Sequence, residues 1–329
     1  MSARPTRFIE FYGQQEAIAN LKVSVTSAKR RKAIHSHVLF VGPPGVGKTT
    51  LAAYVLPTEL EIPAGNVKIL NSTAILKPTD LLPTLTTMPA GGLLFLDEIH
   101  ALPKDCCEFL YHAMEDRTVT VMVGDGSNAQ PISVTINEFT IVGATTREGL
   151  IPEPMRDRFK HITRLELYSD PEMLEVLRWT ATREAMAAPT AIPWQDGALT
   201  LLVKPCHGTA RFASRLIEAV IDTYWAQEPT YGATSSGLGC QLVKDTLKRL
   251  GYRAGGLGKM EFRILEILTA NGTTGLKTLA AALDEEPQTI EDLYEPWLLQ
   301  QGFLVRGRLG RQITEAGAAA LAAIKKENP

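Results

Sequence analysis

The chain has 329 residues, 45% of them hydrophobic and 21% charged, with 34 lysines and arginines against 36 acidic side chains. This length holds two or three domains with more than one core, and the near-balance of charge excludes a polycation, so any nucleic-acid contact must be a local patch. The longest apolar runs fall well short of the ~18–20 residues of a membrane span, and Met1-Ser2-Ala3-Arg4-Pro5 leads into no apolar stretch, so neither a membrane protein nor a secreted one is expected.

Arg4 to Leu21 reads as a lead-in that turns at Tyr12-Gly13-Gln14 and enters a helix marked by Ala17, Ile18 and Leu21. The following Lys29-Arg30-Arg31-Lys32 reads first as a solvated helix face and second as a basic patch. A β-type run, His37-Val38-Leu39-Phe40-Val41, then feeds Gly42-Pro43-Pro44-Gly45-Val46-Gly47-Lys48-Thr49-Thr50, and a helix-type run over 51–56 follows. This is G-x-x-x-x-G-K-[ST] in its strand–loop–helix setting, a nucleotide-binding pattern. The glycines allow a tight turn with successive N–H groups aimed at phosphate oxygens. Lys48 is placed for the β- and γ-phosphates, and Thr49 offers a hydroxyl to Mg²⁺. The helix that begins there adds the positive end of its dipole.

A second strand is predicted at 66–71 and a helix at 78–85. The third strand, Gly92-Leu93-Leu94-Phe95-Leu96-Asp97-Glu98, is apolar until it ends in two carboxylates, as suits a buried central strand with a site at its tip. Beside a phosphate loop, Asp97 is expected to complete the Mg²⁺ shell and Glu98 to polarise the attacking water. A helix over 104–115 leads to alternating runs at 119–123 and 132–136 around the turn Gly124-Asp125-Gly126-Ser127, which read as an inserted β-hairpin. The fourth core strand is 139–144, with Thr145-Thr146-Arg147 at its tip. Up to about Tyr168 the alternation of strands and helices predicts an α/β core, a mostly parallel sheet with helices on both faces. Cys106, Cys107, Cys206 and Cys240 have no metal-ligand spacing, and a reducing cytoplasm is the expected setting.

Ser169-Asp170-Pro171 reads as a helix start, and helical periodicity continues to Tyr252, predicting an all-helical domain. Gly255-Gly256-Leu257-Gly258 is the expected linker. Beyond it, apolar spacing gives three helices, then Phe303-Leu304-Val305 and Gln312-Ile313-Thr314 around a Gly/Arg loop: a winged-helix module. The third helix region carries Asp284, Glu285, Glu286, Glu291, Asp292 and Glu295 and no basic residue. Acids repel phosphates, so the wing arginines Arg306, Arg308 and Arg311 are the expected DNA-facing residues.

Over nearly its full length the chain resembles the RuvB family, the Holliday-junction branch-migration motors of bacteria, within the AAA+ class. The stretches that carry this are Arg4-Pro5 with Tyr12-Gly13-Gln14, 41–52, 95–100, 111–116, 141–147, Pro154-Met155-Arg156-Asp157-Arg158-Phe159, Gly208-Thr209-Ala210-Arg211 and 279–303. The resemblance implies a large ATPase domain over 1–168 with its hairpin near 117–137, a helical lid over 169–252 and a winged helix over 259–329. It implies that Thr146 senses the γ-phosphate, that Arg158 reaches into a neighbouring subunit's site with Arg156 as its partner, and that Arg211 couples the lid to the nucleotide. Arg4, Pro5, Tyr12, Gly13, Gly42 to Thr50, Tyr168 and Arg211 would surround ATP, with Mg²⁺ between Thr49 and Asp97. The implied partners are duplex arms of four-way junctions, further copies in a hexameric ring, and a RuvA-type protein docked on the hairpin.

The sequence also departs from the family pattern. Its lead-in before Arg4 is short, His112 stands at a usual proline, the hairpin's return strand reads Asn128-Ala129-Gln130-Pro131-Ile132 without the usual basic residue, and the wing arginines are spaced differently. Two functional readings follow: an ATP-driven DNA translocase, and a nucleotide-switched loader or scaffold that grips DNA without processive motion. A divergent copy serving a mobile element is a third, minor reading.

Overall fold

The computed structural model describes residues 4–123, 130–187, 193–226 and 237–327. The chain divides into two compact units, Arg4–Gly42 with Gly47–Glu166, and Pro43–Val46 with Leu167–Pro329.

The first unit is built on five parallel strands, β1 (Val38–Val41), β2 (Val67–Asn71), β3 (Leu93–Asp97), β6 (Thr140–Thr145) and β7 (His161–Arg164), in the order β2-β3-β6-β1-β7. Three strands are central, and their side chains are almost wholly buried from Val38 to Phe40, Leu93 to Leu96 and Thr140 to Thr145. Apolar runs buried on both faces are what a helix-covered parallel sheet requires. The helices Gln15–Arg31, Pro78–Thr87 and Lys104–Asp116 belong to this unit. At the start of β1, the neutral His37 Nδ1 accepts the Ile141 N–H at 2.9 Å, and the Thr140 hydroxyl donates to the His35 carbonyl at 2.7 Å. These bonds fix the register of β1 on β6 from its N-terminal end.

Strand β7 was not foreseen. His161-Ile162-Thr163-Arg164 has polar ends and only one strongly apolar residue, so it carries little periodic signal; its pairing with β1 on the sheet edge makes it a strand. The hairpin is present as β4 (Thr118–Val123) and β5 (Gln130–Thr135), antiparallel, with Val119 opposite Val134 and Met122 opposite Pro131. The anticipated turn at 124–127, and Asn128 and Ala129 after it, lie outside the described residues.

In the second unit, Glu172 reaches back over the start of the helix Asp170–Ala187: its Oε2 accepts both the Ser169 N–H and the Ser169 hydroxyl, at 2.9 and 2.7 Å. Helices Ala210–Ala226 and Cys240–Arg249 follow. The glycine segment at 255–258 is no open tether. Leu257 is fully buried, and a Cβ on Gly256 would stand 2.6 Å from the Lys204 carbonyl carbon, so glycine is needed there for close packing. The winged helix comprises Lys259–Asn271, Leu276–Leu283, a third helical stretch from Pro287 to Gln300 with wide turns over Ile290–Tyr294, and the ribbon β8 (Leu304–Gly307) with β9 (Gly310–Ile313). Its core gathers Phe262, Leu265, Leu279, Ile290, Trp297 and Leu298. A closing helix, Glu315–Glu327, lies beyond the three helices and wing read from the sequence; Leu321 and Ile324 seat it on the same core.

Candidate functional site

The phosphate loop turns through residues that tolerate left-handed backbone. Gly45 has φ +82° and Gly47 φ +104°, values that a side chain makes costly. Helical structure begins at Lys48, directly after Gly47, so the loop leads straight into a helix N-terminus, the end whose dipole favours an anion. Lys48 is nearly buried and its Nζ donates to the Gly42 carbonyl at 2.7 Å, which curls the side chain over the loop.

Strand order brings the acidic pair to the same edge. β6 lies between β1, which runs into the loop, and β3, which ends at Asp97. Ligand sites of open parallel sheets form at such carboxyl ends. The Thr49 hydroxyl donates to Asp97 Oδ2 at 3.2 Å, so the two oxygens expected to share Mg²⁺ are in contact. A hydroxyl with a carboxylate is the hard-oxygen set this cation takes. Glu98 follows with φ +50° and ψ +47°, which turns the chain sharply after the strand. Thr146, half-buried, stands one residue beyond the end of β6.

Arg158, two residues past the short helix Glu153–Arg156, is ion-paired with Glu115, and Arg156, the last residue of that helix, is half-buried. In the second unit, the Arg211 N–H donates to the Gly45 carbonyl at 3.3 Å while its side chain stays exposed, and the buried Tyr168 hydroxyl donates to the Val46 carbonyl at 3.0 Å. The start of helix 210–226 thus lies against the loop's own backbone. Arg4 is exposed, with its guanidinium 5.1 Å from the centre of the Tyr54 ring.

On the wing the structure corrects the sequence reading. Arg311 is only 11% exposed: its Nε donates to Glu295 Oε1 at 2.6 Å and its Nη2 to Glu291 Oε1 at 2.6 Å. Burial pushes its pKa down, but the bonds and charge of Glu295 and Glu291 outweigh that, and the net shift is upward. Arg306 also pairs with Glu295, whose carboxylate is fully buried. Arg311 is therefore held by the module's own carboxylates, with little of its side chain left at the surface. Arg308 is exposed near the ribbon's turn beside Leu309, itself 86% exposed. The acids of the third helix, read as repellent to phosphate, are in part the counter-charges of the wing.

The family sequence model described as "Holliday junction DNA helicase RuvB P-loop domain" matches residues 3–165, and the one described as "RuvB C-terminal winged helix domain" matches residues 254–322. A Holliday junction branch migration complex subunit RuvB from Kosmotoga olearia is 39% identical over 318 residues, 95% of this chain and 87% of that protein. This chain belongs to the RuvB family. The RuvB of Flavobacterium johnsoniae is 40% identical over 315 residues, 95% of this chain and 88% of its own. Among solved structures, the Thermotoga maritima RuvB Holliday junction branch migration motor superposes with a TM-score of 0.82 at 34% identity, covering 97% of this chain and 98% of that one.

Two positioning residues escaped the sequence reading of this RuvB chain. Gln14, at φ +54°, makes a paired bond with Glu166: its Nε2 donates to the Glu166 carbonyl at 2.6 Å and its Oε1 accepts the Glu166 N–H at 3.1 Å. It anchors the Tyr12-Gly13 turn to the segment after β7. The only signal in the sequence was its place in a glycine turn. The second is His100, whose Nδ1 is 3.0 Å from Thr145 Oγ1, at the end of β6, and 3.3 Å from Glu98 Oε2.

Proposed function

We propose that the chain is the ATP-driven motor subunit of Holliday-junction branch migration, moving the duplex arms of four-way junctions. The observation that carries this is the row formed at one sheet edge by the phosphate loop after β1, Thr146 after β6, and Asp97-Glu98 at the end of β3. Lys48 and the loop N–H groups hold the triphosphate of ATP, and Glu98 orients a water onto the γ-phosphorus. The water's oxygen bonds to phosphorus as the bond to ADP breaks, and its proton passes to Glu98 or solvent. Mg²⁺ bound by Thr49 and Asp97 would neutralise charge on the β- and γ-oxygens. Phosphoryl transfer of this kind is almost entirely positioning and electrostatics.

Arg158 completes the site of the next copy in a hexameric ring, with Arg156 beside it, while Arg211 reports nucleotide state to the helical segment. Arg4, Pro5, Tyr12, Gly13 and Tyr168 border the nucleotide. Duplex contact falls to Arg308 and the solvent side of Arg306, and the hairpin β4–β5 offers its exposed Ile132 to a RuvA-type junction-binding protein. Among the described residues no helix is long and apolar enough to cross a membrane; the cytoplasm, where the DNA substrate lies, is the proposed setting. The test is ATP-dependent branch migration on a synthetic four-way junction, with and without a RuvA-type protein. Migration that needs ATP and Lys48 is expected; nucleotide-dependent binding with no strand movement overturns the motor in favour of a loader.

A further inference from the structure

His100 lies two residues beyond Glu98, in the single turn Ile99–Ala101 after β3. Its Nδ1 is 3.0 Å from Thr145 Oγ1, at the end of β6, and 3.3 Å from Glu98 Oε2. The backbone brings it there. Glu98 adopts a left-handed conformation that a residue with a Cβ takes only at a cost. Opposite that turn β6 has Gly143, where a Cβ would stand 2.9 Å from Ile99 Cδ1, so the glycine leaves room for the Ile99 side chain against the strand.

Proton counting sharpens the arrangement. Thr145 is fully buried, and its Oγ1 accepts the Arg147 N–H at 2.9 Å. A hydroxyl has one proton to give, and His100 Nδ1 is in reach of it. Glu98 Oε2 is shielded from solvent and makes no aligned hydrogen bond, with the same Nδ1 as a charged-pair neighbour. One ring nitrogen therefore faces both a hydroxyl and the carboxylate expected to orient the attacking water. The Thr145 end of this contact is adjacent to Thr146.

We propose that His100 is a positioning residue for hydrolysis: with Thr145 it forms a relay that fixes the Glu98 carboxylate relative to the tip of β6. The relay rests on the reading of Glu98 as the water-orienting group. With Thr145 donating to Nδ1, the carboxylate is left free for water; with a proton on Nδ1, the ring holds the carboxylate. Hydrolysis thus depends on how the β6 tip is set, which is where the γ-phosphate is sensed.

The test uses the full chain with duplex DNA. His100→Ala is expected to lower kcat for ATP hydrolysis about 10–100-fold, the scale of a misplaced catalytic group, with KM for ATP held within about threefold. His100→Asn, which keeps a donor near the Nδ1 position, restores most of the rate. Thr145→Val gives a loss similar to His100→Ala, and the double variant is no slower than the worse single one. Binding of a fluorescent ATP analogue is unchanged in all of them, and the thermal midpoint is unchanged in His100→Ala and His100→Asn; Thr145→Val, which also takes the acceptor from the Arg147 N–H, lowers the midpoint without weakening nucleotide binding. A wild-type kcat in His100→Ala, losses that add in the double variant, or a kcat loss in His100→Ala matched by lost nucleotide binding or stability overturns the relay. Glu98→Gln tells the two failures apart. Wild-type turnover in Glu98→Gln removes the role of Glu98 itself, whereas an inactive Glu98→Gln beside a fully active His100→Ala removes only His100.

Discussion

At the carboxyl edge of the five-stranded sheet, Asp97 takes a bond from the Thr49 hydroxyl and Lys48 gives one to the Gly42 carbonyl; on the wing, Arg306 and Arg311 are held by the carboxylates of Glu295 and Glu291. In the first region the partners named are neutral, a hydroxyl and a backbone carbonyl. In the second, opposite charges already satisfy one another, and Glu295 does so from full burial. A buried ion pair is a structural commitment, since breaking it strands a charge away from water. Proximity to a ligand-binding surface does not make an arginine a ligand-binding residue.

The largest effects test the sheet edge. Lys48→Ala and Glu98→Gln should each lower ATP turnover by roughly 10²–10⁴, the scale for a lost charge-stabilising or proton-handling group, in a steady-state phosphate-release assay; near-normal turnover in either would break the comparison at its first term. Arg158→Ala should cost on the order of 10³ or more in turnover, as loss of an arginine finger does, while the same chain still binds nucleotide. Mixing it with Glu98→Gln subunits should recover part of the rate, because some interfaces then join an intact Glu98 to an intact Arg158. No recovery in mixed assemblies would place Arg158 outside the neighbour's site.

The wing is tested by stability. Glu295→Gln should destabilise the chain by about 1–3 kcal/mol in denaturant unfolding, because Arg306 and Arg311 both lose a buried charged partner and Arg311 keeps only Glu291; Arg311→Ala, which leaves the buried Glu295 short of a counter-charge, should likewise act on stability first. An unaltered unfolding midpoint, with DNA affinity lost instead, would return Arg311 to the DNA surface. Acid tests the sheet once more. Burial holds the His37 pKa down to about 4, and His35 and His161 are lowered by the same cause. Since the folded state resists protonating His37, its contribution is intact above the usual histidine value of about 6.5 and is lost as pH falls toward 4, by about 3 kcal/mol at most. Unfolding midpoints taken between pH 7 and 4.5 should fall, and His37→Gln should flatten that fall. The smallest effect is Arg308→Ala, which should leave stability unaltered, weaken duplex binding several-fold, and lower the salt slope of that binding by about one, as removal of one phosphate contact does.

Residue order alone determined the loop from Gly42 to Thr50, the acidic end of β3, the parallel α/β core, and the three-helix module with its ribbon. Each is local: a fixed spacing of glycine, lysine and hydroxyl, or an apolar period that a strand or helix imposes within a few residues. Strand β7 was missed because pairing with β1, rather than its own composition, makes it a strand. That the linker at 255–258 is packed rather than open is invisible in its composition, because its contact is with the distant Lys204 and Pro205. The inward turn of Arg311, the Gln14–Glu166 bond and the His100–Thr145 contact were decided by the tertiary structure alone. In each, the partners lie 16, 152 and 45 residues apart, and whether a charge meets a counter-charge, a carbonyl or water depends on which surfaces the fold brings together.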